Sequence, residues 1–441
     1  MTAQELQDLD RAHTIYSWKA QKDVNPIIID HVDGVTMYAK NGKEFMDFCA
    51  GLLCVNLGHN NPHVKQAMKD QIDKVCYVGT MFGTEPKAKL SKLISEVTPG
   101  DLDYVFYTNG GAEAVENALK AARKFTGRQK IYSAWRSYHG ATAGAMSISG
   151  DPRAWDAEPA TPGTHKYFAP YPYRCPFGSK TPEEANAIAL QVLKTQLMLE
   201  GPHTVAAIIM EPITGTNGII IPSKAFVQGV RDLCDQYGII MIVDETMGGW
   251  GRAGKWFAIE HYDVVPDIMT TAKGLTSGYV PLGAMIWGKK LWDFFWKTPF
   301  QGGLTYGGHA LACATAIANI EEYKRLNLIE ASAVQGVHLE KKLLELKATH
   351  PSVGDVRIKG LWACIELVEN RETKAELAGF CDRKRNVSGE LTRLMHEGGV
   401  YCFNKWDFIF IAPPLIITPA QIDQATAVIG KALEFTDSLV K

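Results

Sequence analysis

No C-x-x-C pair occurs among the nine scattered cysteines of this 441-residue chain, so neither a zinc ribbon nor a disulfide framework is expected. Nor is there an apolar run long enough to cross a bilayer. The opening residues, MTAQELQDLDRAH, lack an apolar centre, so no secretory signal is expected there. These absences predict a cytoplasmic protein with reduced thiols, not associated with membranes. An excess of one charge is missing too: 46 basic against 48 acidic residues leave a net charge of -2, which offers no electrostatic reason to bind nucleic acid. There is no internal repeat or low-complexity tract. His59 and His63 are four apart, but Asn60-Asn61-Pro62 places a turn between them, so no metal site is expected. What remains is an ordinary globular composition, 46% hydrophobic and 21% charged, with length for two or three domain-sized units.

The chain is organised around Gly238 to Gly274, GIIMIVDETMGGWGRAGKWFAIEHYDVVPDIMTTAKG. Ile239 to Val243 form an unbroken apolar run, as in a strand buried on both faces of a parallel sheet. It ends on Asp244. A carboxylate at the carboxyl end of such a strand stands in the crevice where open α/β sheets bind ligands. Asp267 to Ala272 reads as a second short strand, and it delivers Lys273. An amine opposite an acid suits pyridoxal 5'-phosphate: the lysine condenses with the aldehyde, and the carboxylate keeps the pyridine nitrogen protonated. Once displaced, the lysine can move a proton as general base and acid. Gly249-Trp250-Gly251-Arg252-Ala253-Gly254 also matches the dinucleotide pattern G-x-G-x-x-G. Four residues intervene between strand and glycines, however, and Lys255-Trp256-Phe257 is a poor first turn for a helix receiving a pyrophosphate.

Two further strand ends add to the pattern. Tyr104 to Tyr107 reads as a strand that turns through Thr108-Asn109-Gly110-Gly111-Ala112-Glu113 into a helix whose apolar face is Ala112, Val115, Leu119, Ala122 and Phe125. Glycines there leave backbone N–H groups open to a phosphate. Lys130 to Ala134 is another strand, followed by Trp135-Arg136-Ser137-Tyr138-His139-Gly140; an aromatic ring so placed can lie flat on a planar cofactor. Val205 to Met210 ends on a third acid, Glu211. Residues 151–182 hold Pro152, Pro159, Pro162, Pro170, Pro172, Pro176 and Pro182, seven of the 21 prolines, and a stiff loop of that length is usually functional.

Asp244-Glu245-x-x-x-Gly249-x-Gly251-Arg252-x-Gly254 followed by Ala272-Lys273-Gly274 resembles the signature of the class III aminotransferases, pyridoxal-phosphate enzymes of fold type I. The likeness runs through nearly the whole chain, including Asn56-Leu57-Gly58-His59-Asn60-Asn61-Pro62 and Gly303-Leu304-Thr305-Tyr306-Gly307-Gly308-His309-Ala310. It implies an α/β fold: a large domain with a mainly parallel central sheet flanked by helices, and a smaller α+β domain. The expected division is an amino-terminal segment to residue 55, a cofactor-binding domain over 56–322 and a carboxy-terminal small domain over 323–441.

The resemblance assigns Lys273 and Asp244 to catalysis, Gly110, Gly111 and Ala112 to the phosphate, and Tyr138 or His139 to the ring. Thr246 stands where an aliphatic residue is usual under the ring, Met247 where a glutamine often bonds the ring hydroxyl, and Ala112 where a hydroxyl is usual. Thr305 would donate to the phosphate in the other subunit of a homodimer, towards which Phe82 would also reach. Leu53 would lie against substrate, and Glu211 would lie near substrate or pair with a pocket arginine. Many ω-aminotransferases carry a carboxylate-gripping arginine near Phe403; a phenylalanine cannot do this, leaving Lys405, Arg136 and Arg174 as anchors for the acid group. Tyr171-Pro172-Tyr173-Arg174-Cys175-Pro176-Phe177-Gly178 resembles a segment of aminotransferases that act on taurine. The implied reaction is ping-pong transfer from a short ω-amino acid (taurine, β-alanine, hypotaurine or 4-aminobutyrate) to pyruvate or 2-oxoglutarate. A mutase or decarboxylase would share these residues; a nicotinamide oxidoreductase and a silent binding protein are the remaining alternatives.

Overall fold

The computed structural model describes the chain except residues 158–159 and 383–384 and the side chain of residue 380. Its centre is a seven-stranded sheet of β1 (Tyr104–Thr108), β2 (Lys130–Ala134), β3 (Thr164–Tyr167), β4 (Val205–Met210), β5 (Ile240–Asp244), β6 (Ile268–Thr271) and β7 (Gly283–Trp287), in the spatial order β1-β7-β6-β5-β4-β2-β3. Neighbours are parallel except β7, which runs against both β1 and β6. Every residue of β4 and β5 is buried, as expected of strands with helices on both faces. Each of these central strands is read directly from an apolar run ended by an acid. Helix α1 (Gly111–Thr126) follows β1; Ala114, Asn117, Ala118 and Ala121 are buried along with Val115, Leu119 and Ala122. Its small residues let it sink into the sheet on more sides than one amphipathic stripe would. Helix α2 (Lys224–Tyr237) ends at Gly238, whose φ of 61° is the left-handed cap that glycine tolerates.

The two ends of the chain meet. Strands Ile29–Asp33, Thr36–Ala39 and Glu44–Asp47 form an antiparallel meander that Val400–Tyr401 extends in parallel. A third, antiparallel sheet holds Val353–Ile358, Ala363–Asn370, Phe403–Lys405 and Phe408–Ile411. Arg252, fully buried, joins three segments by donating to the carbonyls of Leu361 (2.9 Å) and Pro413 (2.6 Å) and to Asn56 Oδ1 (2.6 Å). A Cβ on Gly251 would fall 2.8 Å from Ile329 Cδ1 and Leu415 Cδ1. The glycines of the G-x-G-x-x-G match thus serve close packing between segments, not a dinucleotide.

The proline-rich stretch is more ordered than its composition suggests. It contains the edge strand β3 and two short 3-10 turns, Pro152–Ala157 and Pro172–Arg174; Pro159 lies outside the described residues. Among the described residues no helix is long and apolar enough to cross a membrane.

Candidate active site

The carboxyl ends of β1, β2, β4, β5 and β6 converge on a cavity of about 400 Å³, walled by Asn109, Gly110, Gly111, Ala112, Tyr138, His139, Gly140, Glu211, Asp244, Thr246, Met247 and Lys273, with Thr276 and Val280 to Leu282 closing it. Asp244, the last residue of β5, is buried. His139 Nδ1–H donates to its Oδ2 at 2.8 Å, while the Thr246 amide (3.0 Å) and the Thr270 hydroxyl (3.1 Å) donate to Oδ1. Burial alone would raise the pKa of Asp244; the His139 hydrogen bond and charge, then Thr246, outweigh it and hold the carboxyl below its usual range. The group is a buried anion. Such an anion is what a protonated pyridine nitrogen requires.

Lys273 follows β6 by two residues, at the start of the turn Lys273–Leu275, with φ of +42°. Left-handed backbone at a lysine is strained and persists only where its surroundings enforce it. Its pKa is lowered, chiefly by burial and further by the charge of Arg153, against the opposing pull of Cys54, Asp244 and Glu211. An amine so placed is readily neutral, hence nucleophilic. Glu211 accepts from the amides of Tyr138 (3.0 Å) and Gly215 (2.7 Å), and burial followed by the charge of Asp244 raises its pKa despite His139.

The opposite wall suits an anion. Gly110 caps α1 with extended backbone and no side-chain hydrogen bond, so the first amides of a 16-residue helix face the cavity unpartnered by a cap. A Cβ on Gly111 would fall 2.9 Å from Thr246 Oγ1, and one on Gly140 would fall 2.4 Å from the Ala112 Cβ. Only glycine leaves this cradle open. The buried Thr246 hydroxyl has no hydrogen-bond partner among the described residues. Amine, buried anion, amide cradle and an unpartnered hydroxyl together match an aldehyde-bearing pyridine phosphate.

Residues 17–433 match the family described as Aminotransferase class-III. The chain belongs to this family. Class III aminotransferases use pyridoxal 5'-phosphate and have fold type I, and so does this one. Among its relatives, the taurine–pyruvate aminotransferase of Bilophila wadsworthia is 33% identical, over 97% of this chain and 96% of that one. The putrescine–pyruvate aminotransferase of Pseudomonas aeruginosa is 32% identical over 99% and 97%. The solved taurine:2-oxoglutarate aminotransferase from Bifidobacterium kashiwanohense, in complex with the cofactor and glutamate, superposes with a TM-score of 0.96 at 38% identity, covering 99% of each chain.

Other residues singled out in this class III aminotransferase lie outside that wall. Leu53 is buried in the core, Phe82 is 67% exposed and Thr305 is exposed. Phe403 stacks towards Phe410 with ring centroids 5.4 Å apart. Arg174 is engaged by Glu366 and the Lys374 carbonyl, stitching its loop to the third sheet. The Arg136 guanidinium lies 4.8 Å from the Tyr171 ring centroid. Lys405 donates to Asp151 at 2.9 Å. A cation that sequence reasoning passed over, Arg153, has its guanidinium carbon 3.5 Å from the Tyr138 ring centroid. Its only signal was a place in the proline-rich stretch. His139 is hydrogen-bonded to Asp244, and Tyr138 lines the same wall.

Glu245, next to Asp244, is buried, and it accepts from the Ile259 amide at 2.7 Å. Burial first, then the charges of Glu260 and Asp244, push its pKa up to about 8. A carboxyl that keeps its proton only when folded stabilises fully below its unfolded pKa of roughly 4.3. That contribution is lost as pH rises towards 8. Glu245→Gln removes this dependence, so calorimetry without cofactor should show the variant gaining on the wild type between pH 5 and pH 8; an equal difference at both values would refute it.

Proposed function

We propose that this aminotransferase moves nitrogen from a short ω-amino acid of the taurine type to 2-oxoglutarate or pyruvate. When bound, the cofactor supplies an aldehyde that takes the nitrogen and a ring that accepts the electron pair left at the donor carbon. Lys273 holds the cofactor and, once released, carries the proton off that carbon and back. Asp244, bonded to His139, would keep the pyridine nitrogen protonated; Gly110, Gly111 and Ala112 would seat the phosphate; and Tyr138, Thr246, Met247 and Glu211 would hold the ring. The donor leaves as an aldehyde and the keto acid leaves as an amino acid.

The observation that carries the substrate reading is Arg153. With Nε and Nη2 engaged by Asp151 and Thr216, the guanidinium stacked on the cavity-wall residue Tyr138 would receive a sulfonate or carboxylate as a fixed cation through Nη1. Arg153→Ala should lower kcat/KM for taurine roughly 100-fold, chiefly through KM. A panel of amines scored by half-reaction spectra tests this; unchanged taurine kinetics would remove the assignment, and a preference for β-alanine or 4-aminobutyrate would shift it from sulfonate to carboxylate.

The working unit of this reading is a cytoplasmic homodimer of chains divided near residues 55 and 322. Tyr77 ties two exposed segments together, its hydroxyl donating to the Thr305 carbonyl at 2.8 Å and its ring lying 5.7 Å from that of Tyr306. With Met81 97% and Phe82 67% exposed alongside, the patch is apolar enough to need a cover. A second copy would place Thr305 and Phe82 at the neighbouring site.

A further inference from the structure

Arg153 is held from several sides at once. Its Nε donates to Asp151 Oδ1 at 2.6 Å, and its Nη2 donates to Asp151 Oδ2 at 3.1 Å and to the Thr216 hydroxyl at 2.8 Å. The ring of Tyr138 lies 3.5 Å from the guanidinium carbon and that of Trp18 5.8 Å. Asp151, whose side chain is wholly buried, also receives Lys405 Nζ at 2.9 Å. Lys405 donates onward to Asn217 Oδ1 (2.9 Å) and the Thr216 carbonyl (3.4 Å), and lies 4.1 Å from the Trp406 ring centroid. Three distant segments thus converge on one carboxylate flanked by two cations. Burial would raise the pKa of Asp151, but its bonds to Arg153 and the charges of both cations hold it well below the usual range.

Charge and geometry have a joint consequence. Two cations against one carboxylate leave a single positive charge, matched to one monovalent acid group. A guanidinium held at Nε and Nη2 cannot swing aside without stripping a buried carboxylate of its partner, which is strongly unfavourable. An amine with an apolar tail would therefore meet a cation that stays where it is, with no second anion to balance the charge that Arg153 and Lys405 carry beyond Asp151. Sites built around a polar partner reject analogues lacking it far more strongly than apolar pockets reject extra groups.

We propose that Asp151, supported by Thr216 and Lys405, is a positioning residue that fixes Arg153 as a permanent cation, so that the enzyme requires an acid group on its amine donor and excludes amines without one. This rests on the reading that Arg153 receives the donor's acid group, which Arg153→Ala tests separately. The experiment compares taurine, β-alanine and propylamine in steady-state and half-reaction kinetics of the holoenzyme. In the wild type, kcat/KM for the better acid-bearing amine should exceed that for propylamine about 1000-fold or more. Asp151→Asn should raise KM for the acid-bearing amines at least about tenfold while kcat stays within about threefold, and should narrow the ratio to propylamine by a similar factor. Thr216→Val should act in the same direction by roughly threefold. Melting temperature and cofactor absorbance establish that each variant is folded. A folded Asp151→Asn enzyme with wild-type KM and wild-type discrimination would overturn the proposal. If that variant does not fold, Thr216→Val decides: a raised KM supports the cradle and an unchanged one overturns it. Failure of the wild type to deaminate any acid-bearing amine would instead remove the substrate reading beneath it.

Discussion

Lys273→Ala loses turnover by a factor on the order of 10⁴ or more, measured as the single-turnover rate with the preferred amine. The expectation follows from position and electrostatics together. Lys273 stands at the end of β6 on left-handed backbone, its ammonium form disfavoured by burial. Among the described residues no other lysine lines the cavity. The loss should be chemical and not structural, so a small exogenous amine such as methylamine should restore part of the rate by carrying the proton in place of the side chain. A variant with undiminished turnover, or one that no added amine rescues while its melting is unchanged, would contradict the role given to this residue.

Asp244→Asn should cost roughly 10³-fold in kcat while the protein still binds cofactor through the amide cradle at Gly110. An amide cannot balance a protonated ring nitrogen, and with Asp244 buried the charge it carries has no substitute beside it. The change also removes the anion that fixes His139, so His139→Asn should show a milder form of the same defect, about tenfold. Rapid-mixing spectra of each half-reaction would separate this from weakened binding. Equal kcat in Asp244→Asn and wild type would mean that the ring is stabilised elsewhere.

How much of this was legible in the sequence depended on whether a residue's role is set locally. Strands β4, β5 and β6 were readable because an apolar run fixes a buried strand and the charge that ends it is placed by the strand itself; Glu211, Asp244 and Lys273 followed directly. The glycine turn before α1 was readable for the same reason. The partner of His139 was not, since it is Asp244, 105 residues away. The glycines of Gly249 to Gly254 looked like a phosphate loop because their need for glycine is imposed by Ile329, Leu415 and other distant neighbours. Arg153 was hidden most completely. Its place is set by Asp151, by Thr216 63 residues on and, through Asp151, by Lys405 254 residues on, and no periodicity in the chain marks that convergence.

The most direct test of the account is to reduce the cofactor-loaded protein with borohydride, digest it and locate the modified residue by mass spectrometry. The added phosphopyridoxyl mass should fall on Lys273 alone. Its appearance on any other lysine, Lys405 included, or its absence from every lysine, would contradict the assignment on which the catalytic reading rests.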